Sequence, residues 1–275
     1  MDPTLEQLVH ARDNDYSALE AAYRQACGGE LVSDPYNSAR HALPALTFSA
    51  SVVIPAWNVR GSLRQCLLSI EHSSFNRQYP GQLEVIVVDD GSSDGTWELL
   101  QDLRLDLRLK AVRQAHHSRA QTQNTGIAMA EGDVVISCDA DMILSPFSIE
   151  ELVRRHQVLE RVMLVGFRSD IQPGDPLIQP DVLAQHLPEI LPPFQSDIRL
   201  RYGTWGWPES MSRDSGHFKR LGSGKKIIMP DQSRWDLPGM VWGALFSLRR
   251  SDFVAMDGYD AVSYTHLTLP TSDLV

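Results

Sequence analysis

Asp139 and Asp141 flank Ala140 directly after the apolar run Val134 to Ser137. Strand alternation predicts both carboxylates on one side, at a rim rather than in a core. Two carboxylates that close repel, and each raises the other's pKa unless a cation intervenes. Turn chemistry is one reading of a D-x-D, since Asp is common where strands end. A Mg2+ or Mn2+ site is the other, because such ions take oxygen ligands and are held by one or two carboxylates plus substrate phosphates. Asp89 and Asp90, at the start of Asp89-Asp90-Gly91-Ser92-Ser93-Asp94-Gly95-Thr96, pose the same choice. Turn formers and capping residues explain that run locally. A carboxylate there also suits hydrogen bonds from a nucleobase or ribose. Two acidic strand-end motifs about 50 residues apart in one sheet argue together for a site.

These residues need a frame, and the chain alternates in period to supply one. Ser51 to Pro55, Glu84 to Val88, Leu109 to Val112 and Val134 to Ser137 are short apolar runs. Between them Gly61–Ile70, Thr96–Leu107 and Arg119–Ala130 carry helical spacing, with Ser92 or Asp94 as the N-cap of the second and Gly132 as the stop of the third. Apolar strands alternating with helices predict an α/β fold with a mostly parallel sheet and helices on both faces. Ligands then bind beyond the carboxyl ends of the strands. Those ends carry Pro55-Ala56-Trp57-Asn58, Asp89-Asp90 and Asp139-Ala140-Asp141.

Composition narrows the classes. The 275 residues are 43% apolar and 22% charged, as in globular domains, with net charge −10. Such a chain is a poor non-specific partner for nucleic acid. It also holds a diphosphate at an acidic rim only with a divalent cation between them. Cys27, Cys66 and Cys138 are too far apart for a CxxC site and odd in number, which predicts a reducing compartment and a cytoplasmic location. No apolar run is long enough for a transmembrane segment, and Met1 to Tyr16 lacks the pattern of a signal peptide; peripheral membrane association stays open.

The segments SVVIPAWN, VIVVDDGSSDGT and NTGIAMAEGDVVISCDADM resemble the nucleotide-sugar half of family 2 glycosyltransferases, which have the Rossmann-like GT-A fold. The resemblance spans roughly residues 50–166, and VWGALFSLRRSDFVAMDGYD at 241–260 resembles the later acceptor-side segment. It implies that Pro55 and Ala56 line the nucleotide pocket and that Asp90 contacts the base, with uracil favoured. Asp139, Ala140 and Asp141 match the D-x-D, with Asp139 and Asp141 on ribose and the metal-bound diphosphate. Gln123 stands where Arg is frequent; Arg119 is either a substitute phosphate contact or an exposed helix-start residue, the second being the commoner outcome. The implied activity is inverting transfer from a nucleotide sugar, a UDP-sugar first, to a hydroxyl of a glycan or glycoconjugate acceptor, as in polysaccharide synthesis.

Inversion needs one general base and no covalent intermediate. Gly258-Tyr259-Asp260 fits the turn that precedes a Glu-Asp pair in relatives, but Ala261-Val262 follows, so Asp260 is the candidate base by default. Asp231, Glu209 and Asp214 lie in the long loop and are not ranked. The expected organisation is a helical N-terminal extension over 1–48, a nucleotide-sugar half over 49–166, a truncated acceptor-side region with a long loop over 167–260 and an atypical, foreign-looking tail over 261–275. Trp205-Gly206-Trp207 is assigned to pinning that loop, and His116-His117, Lys225-Lys226 and Arg249-Arg250 to solvated surface. A haloacid-dehalogenase-type phosphatase places its D-x-D after the first strand, not the fourth, and a nicotinamide oxidoreductase needs a G-x-G-x-x-G after the first strand. A non-catalytic nucleotide-sugar binder is the remaining alternative.

Overall fold

The structure, a computed structural model, describes residues 45–144, 146–158, 164–166, 200–202 and 245–255. The helical prefix expected in 1–48 lies outside these residues, apart from a non-helical 45–48. So do the loops around Trp205 and Lys225, the carboxylates of Glu209, Asp214 and Asp231, the candidate base Asp260 and the tail. Four strands run parallel: β1 (Ala50–Ala56), β2 (Leu83–Asp89), β3 (Arg108–Arg113) and β4 (Val134–Cys138). Between them lie α1 (Leu63–Glu71), α2 (Ser74–Gln78), α3 (Thr96–Asp102) and α4 (Arg119–Met129). Then come α5 (Ser148–Val158), β5 (Leu164–Gly166), β6 (Leu200–Tyr202), β7 (Leu245–Arg249) and α6 (Arg250–Ala255).

The seven described strands form one sheet in the order β3-β2-β1-β4-β7-β5-β6. β7 runs antiparallel between β4 and β5, and β6 antiparallel beside β5, so five of the seven strands share one direction. β7 comes from the stretch assigned to the acceptor side, so the sheet itself crosses the 166/167 boundary.

Alternate residues of the central strands feed two cores. Val52, Ile54, Val85, Val87 and Ile136 pack with Leu63, Leu67 and Ile70 of α1, Phe75 of α2, Leu100 of α3 and Leu152 of α5. Val53, Ile86, Val88 and Val135 pack with Ile127 of α4 and Phe253 of α6 on the opposite face. Helices therefore cover both faces, as the apolar strands require. β3, at the edge, exposes Arg108, Ala111 and Arg113.

Three local expectations are corrected. α3 ends at Asp102, not Leu107, because Leu103, Leu105 and Leu107 alternate half-buried with exposed Arg104 and Asp106 and pack on the core in an extended segment. Its N-cap position is Gly95, at φ 90°, while the Asp94 carboxylate accepts from Thr96 N at 3.0 Å and Thr96 Oγ1 at 2.6 Å. α4 ends at Met129 with Ala130 extended; Gly132 serves packing, since a Cβ there would stand 2.7 Å from the Ala50 carbonyl carbon.

Gly126 holds α4 against the sheet by a similar approach: a Cβ would meet Val53 Cγ1 at 2.4 Å. Gly126→Ala gains about 1 kcal/mol of helix propensity. Overpacking against a buried, stiff valine costs about 1–3 kcal/mol and at this distance falls at the upper end. We expect net destabilisation of about 1–2 kcal/mol, read as a lower urea midpoint; an unchanged or higher midpoint would contradict this packing.

Candidate functional site

The strand order reverses at β1, with β2 and β3 on one side of it and β4 on the other, and α1 leaving β1 packs on the opposite face from α4 entering β4. A crevice opens at the carboxyl ends at such a point. Here it is a cleft of about 290 Å3 whose floor includes Pro55 and Ala56 from the end of β1 and Asp90 from the end of β2. Asp139, Ala140 and Asp141, after β4, form another wall. The pairing of the two Asp residues arises differently from the expectation. Residues 140–141 form a turn, closed by Met142 N donating to Asp139 O at 3.2 Å, rather than a continued strand. Asp141 is exposed, Asp139 half-buried and Ala140 buried.

Asp90 is 4% exposed, yet its carboxylate is well provided for. It accepts from Gln114 Nε2 at 2.8 Å and from His117 N at 3.0 and 3.1 Å, and His116 Nδ1 lies 3.0 Å away. Asp90 N donates to Ala56 O at 2.8 Å, which fixes the β2 end against the β1 end. These donors pin the carboxylate at the cleft's edge.

Asp89 lies elsewhere. It is fully buried and not among the residues lining the cleft. Its carboxylate pairs with Arg113 Nε at 3.2 Å and accepts from Ser92 N at 3.3 Å, so in this structure it braces the loop from below. Asn58, at φ 54°, joins the loops after β1 and β2: its Oδ1 accepts from Ser93 N at 2.9 Å, and its N donates to Ser92 Oγ at 2.9 Å. A left-handed residue suits Asn, whose short polar side chain bonds locally.

The third wall comes from the loop after β3 and the first turn of α4, through His116, His117, Arg119 and Thr122. Ser118 caps α4 by accepting from Gln121 N. Arg119 NH2 contacts Asp139 Oδ1, so a cation already touches the D-x-D. Gln123 is buried and donates to Ser137 Oγ at 2.8 Å; it anchors α4 to β4 and does not line the cleft. His116 stacks on Trp57, with ring centroids 4.9 Å apart and planes at 24°. Trp57, 54% exposed, leaves aromatic surface toward solvent at the cleft.

The histidines are surface residues as expected, but they also line the site. Trp57, His116 and His117 are the site features that sequence reasoning missed. The rule applied to the ends of β1, β2 and β4 applies equally to β3, and would have found the histidines.

Beneath the D-x-D turn, the thiols of Cys66 and Cys138 both point to Asp139 O, at 3.6 and 3.4 Å. A hydrogen bond with Cys66 and burial hold the Cys138 thiol well above its ordinary pKa. Among the described residues no three His, Cys, Asp or Glu side chains converge as a metal cage. Asp139 and Asp141 offer hard oxygen donors on an open turn, which fits an ion completed by phosphate oxygens.

An open α/β sheet with a cleft at its order reversal belongs to the class of folds that bind ligands at the topological switch point. The model of glycosyl transferase family 2 matches residues 51–212, more than half of the chain, and the chain belongs to that family. It is similar to an uncharacterized glycosyltransferase of Bacillus subtilis, YfnE: 31% identity over 118 residues, covering 42% of this chain and 29% of that protein. An N-acetylglucosaminyltransferase of Bradyrhizobium elkanii is 30% identical over 148 residues, 52% of this chain and 76% of its own. The fold resembles that of the mannosyltransferase PcManGT from Pyrobaculum calidifontis, solved with GDP-Man and Mn2+, at TM-score 0.50 and 17% identity over 95% of this chain and 59% of that one. The matches to the first three curated relatives span 16% to 38% of those proteins' lengths. No described helix is long and apolar enough to cross a membrane.

Proposed function

We propose that this chain handles the donor in an inverting glycosyltransferase that moves a sugar from a UDP-sugar to a hydroxyl of a glycan or glycoconjugate, in the cytoplasm and in polysaccharide or glycoconjugate synthesis. The observation that carries this reading is the meeting of Asp90, Asp139 and Asp141 in one cleft over the strand-order reversal. The division at 48, 166 and 260 is part of the same reading, with the nucleotide handled by 49–166 and the acceptor by 167–260. The relative named as an N-acetylglucosaminyltransferase supports testing a hexosamine donor first.

Each wall has a task. Pro55, Ala56 and Trp57 offer an apolar and aromatic surface to a base. Asp90 accepts a hydrogen bond from a base N–H, its carboxylate held in place by Gln114 and His117. Asp139 and Asp141 would hold Mn2+ or Mg2+, which would supply Lewis-acid stabilisation of charge on a leaving diphosphate. The first turn of α4 lines the same cleft and favours anions through its backbone N–H groups. Asp260 is the proposed base, within 167–260 and outside the described residues.

The test is turnover. With Mn2+ and a panel of UDP-sugars, UDP release is expected, to be stopped by chelation and raised by a hydroxyl acceptor. Tight binding without release would leave a non-catalytic nucleotide-sugar binder. A panel in which no nucleotide sugar raises thermal stability would sink the reading, because a ligand of the native state must raise it.

A further inference from the structure

We propose that Arg119 is a built-in competitor for the metal: its guanidinium holds Asp139, and a divalent ion gains that carboxylate fully only when a diphosphate draws the guanidinium away. The inference rests on the nucleotide-sugar reading and adds an order to it.

Arg119 NH2 contacts Asp139 Oδ1 directly, and Asp139 is one of only two carboxylates on the D-x-D turn. A guanidinium and a divalent cation sharing one carboxylate repel each other at that range. The pair is therefore a choice of partner, and each cation lowers the affinity of the other. The arm is built to switch. Its base is fixed, since Arg119 opens an 11-residue helix capped by Ser118 and anchored to β4 by Gln123 and Ser137. Its side chain is half-exposed, at 49%, against 20% for Asp139, so it can swing without unpacking a core.

The destination lies in the same cleft. A diphosphate between the D-x-D turn and the first turn of α4 presents paired oxygens to a planar fork of donors, a geometry that guanidinium matches better than a point charge. Transfer of Arg119 from carboxylate to phosphate frees Asp139 for the ion. No bond is made or broken; one ion pair is exchanged for two. Nucleoside diphosphate and metal then bind with positive coupling, and the coupling is reciprocal.

The experiment is a Mn2+ titration of the whole chain, without nucleotide and again with saturating UDP, for the wild type, Arg119→Ala and Arg119→Lys. In the Arg119→Ala protein, Mn2+ alone is expected to bind about tenfold tighter, the value of one charge-assisted hydrogen bond. UDP with saturating Mn2+ is expected to bind about tenfold weaker, so the coupling shrinks. Arg119→Lys, with the charge but without the fork, should fall between. Unchanged or weaker binding of Mn2+ alone in Arg119→Ala overturns the proposal, as does unchanged UDP affinity. Failure of the underlying reading looks different: UDP then binds neither protein at any Mn2+ concentration.

Discussion

Replacing Asp141 by alanine is expected to weaken metal-dependent nucleotide binding by about 100-fold or more. The change removes one of two carboxylates on the D-x-D turn and leaves Asp139, which already holds Arg119. A Mg2+ or Mn2+ site with one or two carboxylates loses a large share of its protein ligands in that step. Removing groups that merely support a metal ligand costs about 10- to 100-fold, so losing a ligand sets the larger value. Asp141 is exposed and sits in a turn whose closing hydrogen bond uses backbone atoms of Asp139 and Met142. The fold should therefore survive, with an unchanged melting temperature without ligand. Calorimetry of UDP with Mn2+ reads the effect, and Asp141→Asn separates charge from volume. Equal affinity in wild type and variant would remove Asp141 from the site.

The second large effect is on stability in acid. His156 of α5 is fully buried, with Nε2 2.9 Å from Ser247 Oγ on β7. Burial lowers its pKa to about 3, with help from the charges of Arg249 and Arg155 and against the bond to Ser247. The folded protein therefore keeps His156 neutral between about pH 6.5 and about pH 3, while the unfolded chain takes up a proton near the ordinary value of 6.5. More protons bound by the unfolded state means stability that rises with pH across this window and falls as acid is added. The slope approaches roughly 1.4 kcal/mol for each pH unit inside the window. Over the whole window that reaches about 4 kcal/mol, a large share of the roughly 5–15 kcal/mol typical of a domain. Urea midpoints at pH 7 and pH 5 should differ, and His156→Gln should flatten the difference. The same slope in both proteins would assign the acid sensitivity to other groups. β7 pairs with β4 from Val134 to Cys138, so opening this seam would also disturb the strand that leads into Asp139.

The parallel half of the fold was legible because its strands are short, apolar and β-branched. Ser51 to Pro55, Glu84 to Val88, Leu109 to Val112 and Val134 to Ser137 all lie within observed strands. The two-faced burial of Val52 and Val53 follows from the same continuous runs. β6 was missed because three residues carry no periodicity to detect. Leu103 to Leu107 misled because Leu103 and Leu107 continue the helical spacing of Leu99 and Leu100, and only the core on which they pack separates the cases.

The candidate site divides in the same way. That Asp90, Asp139, Ala140 and Asp141 gather at the strand ends could be argued from residue type and position, and the structure brings them to one cleft. That Asp89 is buried against Arg113 while Asp90 lines the cleft could not, because alternation separates the two carboxylates without saying which one stays at the rim. Nor could the engagement of Arg119 with Asp139, or of His116 with Trp57 and Asp90, which join segments 20 or more residues apart. By itself the sequence determined the order of the four parallel strands and of three helices between them, and the carboxylates at their ends, because local patterning and residue chemistry act within a few positions. Only the tertiary structure decided which carboxylate meets which cation and which ring, because those pairings depend on the register and crossover of strands distant in the chain.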